Sequence, residues 1–173
     1  MFNNSGGRVE VPDNDLLSTH AVDSMQEQTI VVWIKPTIPL SGEIEILGKG
    51  GQWEYGITVY DPTKQVSITY WNGLNGCCGW GLGSYGNVWN YNNWTLITTV
   101  LNRNRNYLKI FVDGTLKSGI GTTQPSYNGT APLQIGDWQW WRTPPNGVII
   151  DEVRIYNRAL SDSEIKALYD ATK

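Results

Sequence analysis

The last 27 residues, GVIIDEVRIYNRALSDSEIKALYDATK, constrain the chain more than any other stretch, because they spell out a strand, a turn and a capped helix in immediate succession. Val148, Ile149, Ile150, Val153 and Ile155 are β-branched and follow Gly147, which suits a buried strand closed by a turn at Asn157 and Arg158. Ser161 lies three residues before Glu164, the spacing at which each side chain caps the other's backbone N–H. Ile165, Leu168 and Tyr169 then predict one apolar stripe on a short helix. A chain that ends this way must bury a strand and one helix face against something upstream.

Upstream, the candidate strands are 9–11, 29–35, 43–47, 55–60, 65–71, 95–101, 107–112, 116–117, 132–135 and 147–156, enough for two packed sheets. Val66, Ile68 and Tyr70 alternate with Ser67 and Thr69, and Leu108, Ile110 and Val112 alternate with Lys109 and Phe111, as in strands with one apolar face. Asp113-Gly114 predicts a two-residue hairpin turn and Asp61-Pro62 another turn. Nineteen Gly and eight Pro among short apolar runs fit many turns, and the terminal helix is the only convincing one. The expectation is a single all-β domain over residues 1–173: a two-sheet antiparallel jelly-roll-like β-sandwich with one short C-terminal helix. With 40% apolar residues in 173, the chain can build a sizeable core without disulfides.

The closing run IDEVRIYNRALSDSEI, with 7–12 (GRVEVP), 30–37 (IVVWIKPT), 94–113 and 133–136, resembles the laminin-G-like domains of the concanavalin A-like lectin and glucanase superfamily. That resemblance implies a sandwich; it says less about function, because one fold carries many unrelated sites. It also suggests calcium as a possible cofactor, with Asp151 the metal ligand to be carried over. In such domains the partner ligands come from an Asp/Gly/Asn-rich segment before the first strand, and none is expected among the residues that precede Val9 here. A salt bridge or turn cap therefore competes for Asp151.

A net charge of −3 and a pI near 5.1, with dispersed basic residues, argue against nucleic acid as a partner. Arg103 and Arg105, within NRNRN, are expected in a solvated hairpin turn. No run reaches membrane-spanning length, so membrane insertion is not expected, and MFNNSGG has neither the charged nor the apolar part of a signal peptide. The chain is accordingly expected either as a domain of a longer exported protein or as a virion component. Cys77 and Cys78 are adjacent and cannot staple distant strands; free thiols are the simpler expectation and a strained vicinal disulfide the alternative. Sequons at Asn3, Asn93 and Asn128 matter only on a eukaryotic secretory route.

Function is sought among the aromatics, since nine Trp and nine Tyr stand against two Phe. These rings carry a polar handle and suit wet recognition surfaces as well as cores. Trp33 and Trp94, inside apolar strand patterns, are expected to pack. Trp53, Tyr55, Trp71, Trp80, Tyr85, Trp89, Trp138, Trp140 and Trp141 are the candidate binding residues, interleaved with Gly and with Asn72, Asn75, Asn87, Asn90, Gln139 and Asn146. Sugar C–H faces stack on such rings while hydroxyls bond amides, so carbohydrate is the leading ligand. A second protein subunit fits the same residue types, which would make this a homo-oligomer or an assembly protein of a virion or cell surface. Packing of the rings into their own loops is the competing account.

Catalysis finds little support. Glu43-Ile44-Glu45 places two acids on one strand face, the nearest approach to the Glu-x-Asp-x-x-Glu pattern of laminarinase-like enzymes in the resembled superfamily, but Gly48 occupies the third position. His20 is the only histidine, and no Ser or Cys has an evident His-carboxylate partner. A noncatalytic module is expected.

Overall fold

The computed structural model describes residues 8–18, 27–40, 42–50, 54–70, 86–121, 130–136 and 147–173, and the backbone of 80–84. Among them are eleven strands: β1 (Val9–Val11), β2 (Glu27–Pro36), β3 (Glu43–Lys49), β4 (Tyr55–Tyr60), β5 (Gln65–Tyr70), β6 (Trp80–Ser84), β7 (Thr95–Asn102), β8 (Tyr107–Val112), β9 (Thr115–Ile120), β10 (Leu133–Ile135) and β11 (Val148–Tyr156). They form two antiparallel sheets, one in the order β1-β10-β3-β4-β5-β6 and the other β11-β2-β7-β8-β9. Helix α1 (Asp162–Thr172) follows. No helix of the described residues is long and apolar enough to cross a membrane.

The main core lies between the sheets. Alternation aims Ile44, Ile57, Val59, Val66 and Ile68 of one sheet at Ile30, Val32, Ile34, Ile97 and Ile110 of the other. The five-stranded sheet is also covered on its outer face. Val31, Trp33 and Leu96 meet Leu168 and Tyr169 of α1, while Val100 and Phe111 meet Leu160 and Ile165. Burial on both faces explains why IVVWI in β2 is a continuous apolar run. Truncating a side chain such as Ile165 to Ala should cost about 2–5 kcal/mol.

The closing segment folds as its spacing predicts. Ser161 N–H donates to Glu164 Oε2 at 2.8 Å and Glu164 N–H to Ser161 Oγ at 3.3 Å, completing the capping box. The turn before it docks on β2: Leu160 N–H donates to Thr29 Oγ1, which itself donates to the Arg158 carbonyl. At the β8-β9 hairpin, Asp113 (φ 49°) and Gly114 (φ 72°) make the two-residue turn with both central residues left-handed. Gly114 is required twice, because a Cβ there would lie 3.1 Å from the Cβ of Tyr169.

Two expectations change. Strand β6 lies where no strand was among the candidates, since its sequence WGLGS carries two glycines and little strand propensity; pairing with β5 over Val66↔Ser84 to Tyr70↔Trp80 holds it as an edge strand. Arg103 does begin the expected turn, but its side chain is half-buried near Tyr70, and burial pulls its pKa below the usual arginine range.

A candidate recognition site at one end of the sandwich

Strand directions put the end of β2, the start of β3, the β4-β5 and β8-β9 turns and the start of β7 at one end of the sandwich. The connection 86–94 between β6 and β7 crosses this end and is tied down at several points. Val88 N–H donates to the Lys64 carbonyl at 3.4 Å and Asn92 N–H to the Pro36 carbonyl at 2.7 Å. Tyr91 donates its hydroxyl to Asp61, whose Oδ2 also accepts Leu40 N–H at 2.7 Å. Lys64 Nζ lies 4.9 Å over the Tyr91 ring. Val88 and Trp89 turn inward into the main core.

So held, the segment presents Asn87, Asn90, Asn93 and Trp94 to solvent, and Trp94 is 42% exposed. These four border a cleft of about 510 Å³ whose other wall is the β8-β9 hairpin, with Asp113 and Lys117. Trp89 also lines it, and its buried indole N–H has no hydrogen-bond partner among the described residues. Asp113 Oδ1 accepts Leu96 N–H at 2.9 Å; burial raises its pKa, against the lowering effect of that bond and of Lys117. The cleft thus offers one aromatic face, three amides that donate and accept, a cation and a carboxylate.

Several residues expected at a site stand elsewhere. Tyr55 is fully buried, because alternation in β4 turns it inward with Ile57 and Val59; its hydroxyl donates to the Leu17 carbonyl at 2.9 Å and its ring lies 5.9 Å from that of Tyr70. Trp89 is 2% exposed and seals its own loop, the alternative weighed for such rings. Neither can offer a ring face to a ligand. Trp94, expected to pack, is instead exposed, because it precedes the first residue of β7 and lies beyond the covering that buries Leu96 on one face and Ile97 on the other. Trp80 starts β6 at the opposite end from Trp94. Trp53, Trp71, Tyr85, Trp138, Trp140 and Trp141 lie outside the described residues, as do His20, Cys77 and Cys78. Of the amides singled out in the sequence, Asn87 and Asn90 reach the cleft. Asn93, Trp94 and Lys117 were missed as binding residues; the Asn-x-x-Asn-x-x-Asn spacing of 87, 90 and 93 beside Trp94 was the available signal.

Asp151 stands in β11 opposite Trp33 and is exposed; its Oδ1 accepts the N–H of Glu152 at 2.8 Å. Glu152 is engaged by Arg154 at 2.7 Å. Among the described residues no group of three or more His, Cys, Asp or Glu is placed to hold a metal ion. Glu43 and Glu45 do share a strand face; Glu43 accepts the Thr58 hydroxyl at 3.1 Å, and Glu45 is 2% exposed. A Cβ on Gly48 would fall 1.8 Å from Glu45 Oε1, so the position where a third acid would stand is what makes room for Glu45.

The two antiparallel sheets and the closing helix define a jelly-roll-like β-sandwich. The sequence model of the concanavalin A-like lectin/glucanases superfamily matches residues 3–166, and the chain belongs to that family. No curated protein matches it in sequence. Among solved structures it resembles the binding domain of botulinum neurotoxin DC in complex with rat synaptotagmin II, with 18% identity, a TM-score of 0.72, and coverage of 98% of this chain and 42% of that one. The same neurotoxin domain in complex with SialylT gives 15% identity, a TM-score of 0.71 and coverage of 96% and 39%. The binding domain of Paraclostridial Mosquitocidal Protein 1 gives 16%, 0.75, and coverage of 97% and 42%. The chain therefore spans less than half of each of these structures, and the likeness is one of fold.

Proposed function

We propose that this chain is a noncatalytic recognition module that binds carbohydrate at the 86–94 end of the sandwich, on an extracellular or virion surface. The observation that carries the reading is Trp94: a large ring left 42% exposed beside Asn87, Asn90 and Asn93, on a segment whose backbone is pinned from below. A sugar ring stacks its C–H face on the indole and exchanges hydrogen bonds with the amides, and the pinned backbone reduces the ordering cost of binding. No bond is broken in this role. The resemblance to domains solved as toxin binding domains supports a binding role without choosing the ligand.

A glycan array followed by titration of the native chain and of Trp94→Ala tests the proposal. Binding lost in the variant supports it; binding that ignores the substitution, or no glycan bound at all, defeats it.

A protein partner is the second reading, favoured by Ile38 and Tyr60, which are 47% and 39% exposed and belong to the same end of the sandwich. One of the similar structures is itself in complex with a protein, rat synaptotagmin II. Sedimentation of the isolated chain separates the two: a stable homo-oligomer that Trp94→Ala dissolves favours assembly, and a monomer with glycan affinity favours the lectin role.

A further inference from the structure

Trp94 borders more than one recess. Besides the 510 Å³ cleft, it lines a second hollow of about 210 Å³ formed with Trp33, Asp151, Glu152, the last residue of α1, Thr172, and its C-cap, Lys173. Among the described residues the two hollows share no other. Trp94 therefore stands as a ridge between them, with Lys35 Nζ 6.0 Å from its ring.

The second hollow has its own polar equipment. Asp151 is exposed and uses Oδ1 for the Glu152 amide, so Oδ2 faces no described donor and is available to a ligand hydroxyl. Its shape depends on an irregularity in β11: the pairing with β2 shifts register between Asp151 and Arg154, and Glu152 adopts φ 47°, a conformation that costs a non-glycine residue free energy. Without the shift, residue 152 would continue the regular alternation along β2. The bulge instead places residues 151 and 152 together at the wall of the hollow.

We infer that the site takes a chain of sugars rather than a single terminal one: one part of the chain lies in the asparagine-lined cleft, the chain crosses Trp94, and its continuation lies in the hollow beside Asp151. Stacking on an indole is compatible with a chain that passes over it, and the carboxylate can accept hydrogen bonds from neighbouring hydroxyls of the distal part. This inference rests on the carbohydrate reading above.

The test is calorimetric titration of the full chain with linear gluco-, galacto- and manno-oligosaccharides of increasing length. For the native protein, affinity should rise from the disaccharide to longer members of the series it binds. The double variant Asp151→Asn with Glu152→Gly should keep the affinity for the short member and lose the gain with length, while Trp94→Ala should weaken every length. Glycine suits the left-handed backbone at 152, and the single variant Asp151→Asn provides the same readout should the double variant not fold. Affinity that is flat with length, or Asp151 variants that weaken short and long ligands equally, would overturn the two-hollow inference while leaving the lectin reading standing. Failure to bind any of the glycans of the array would remove both.

Discussion

Tyr91 and Asp61 are joined by a hydroxyl that reaches both carboxylate oxygens, at 2.7 and 2.8 Å. The contact ties the segment that presents Trp94 to the β4-β5 turn, across 30 residues of sequence. Asp61 is itself buried, so the tie is made to a group that the core holds still.

Replacing Asp61 by Ala leaves the buried Leu40 N–H and the Tyr91 hydroxyl without their acceptor. Chemical denaturation should show a loss of about 1–3 kcal/mol, from the unsatisfied amide. Ligand affinity at the rim should fall as well, although Asp61 is not among the residues lining the cleft.

The same contact has a pH signature. The carboxylate of Asp61 holds the proton on Tyr91 and raises its pKa above the ordinary 10.0. The folded state therefore keeps this proton to higher pH than the unfolded chain does. Its stabilising contribution is complete below about pH 10 and is lost as pH rises through the raised value. Thermal melts of the native chain should fall more steeply in that alkaline range than those of Tyr91→Phe.

At the acid end, Glu164 behaves in the opposite sense. The Arg158 guanidinium, at 2.8 Å, and the Ser161 N–H and hydroxyl lower its pKa to about 2. Its contribution to folding is present above the ordinary value of 4.5 and disappears as pH falls toward 2. Glu164→Gln should flatten the loss of stability over that interval, read by helical circular dichroism against pH.

Lys49 and Glu54 are both fully buried and 2.8 Å apart, with Asp13 2.6 Å from the same ammonium. Lys49→Met removes the ammonium from this buried pair, and urea unfolding should register a loss of about 3–5 kcal/mol. Adding Glu54→Leu should recover most of it, because an apolar pair of similar volume needs no counter-charge.

The two tryptophans of the 86–94 segment should separate stability from binding. Trp89→Ala empties a core position and should cost about 3–5 kcal/mol. Trp94→Ala should change stability by no more than about 0.5 kcal/mol, as is usual for exposed sites, while lowering ligand affinity.

What could be read in the sequence was short-range. Ser161 and Glu164 cap each other within one turn, and Asp113-Gly114 closes a hairpin between adjacent strands, so spacing alone located them. The burial of Tyr55 and the exposure of Trp94 were not legible in the same way. Periodicity assigns residues to two faces of a strand, but which face meets the other sheet is set by pairings such as Tyr55↔Tyr70 and by where β7 begins. Lys49 would be counted as a surface residue on its chemistry; its partner Asp13 is 36 positions away. The cleft itself joins 86–94 to a hairpin formed by later strands, and of its lining Asn87, Asn90 and the buried Trp89 were singled out beforehand.

With α1 seated across the five-stranded sheet, most of that flank is covered, and the hollow beside the end of the helix stays open next to Trp94. Trp94 stands at the tip of the domain, where the cleft opens, away from the face that the helix covers. Modules built this way can stand shoulder to shoulder with their tips engaged, and weak contacts at many tips then add into firm attachment without any change in the single domain.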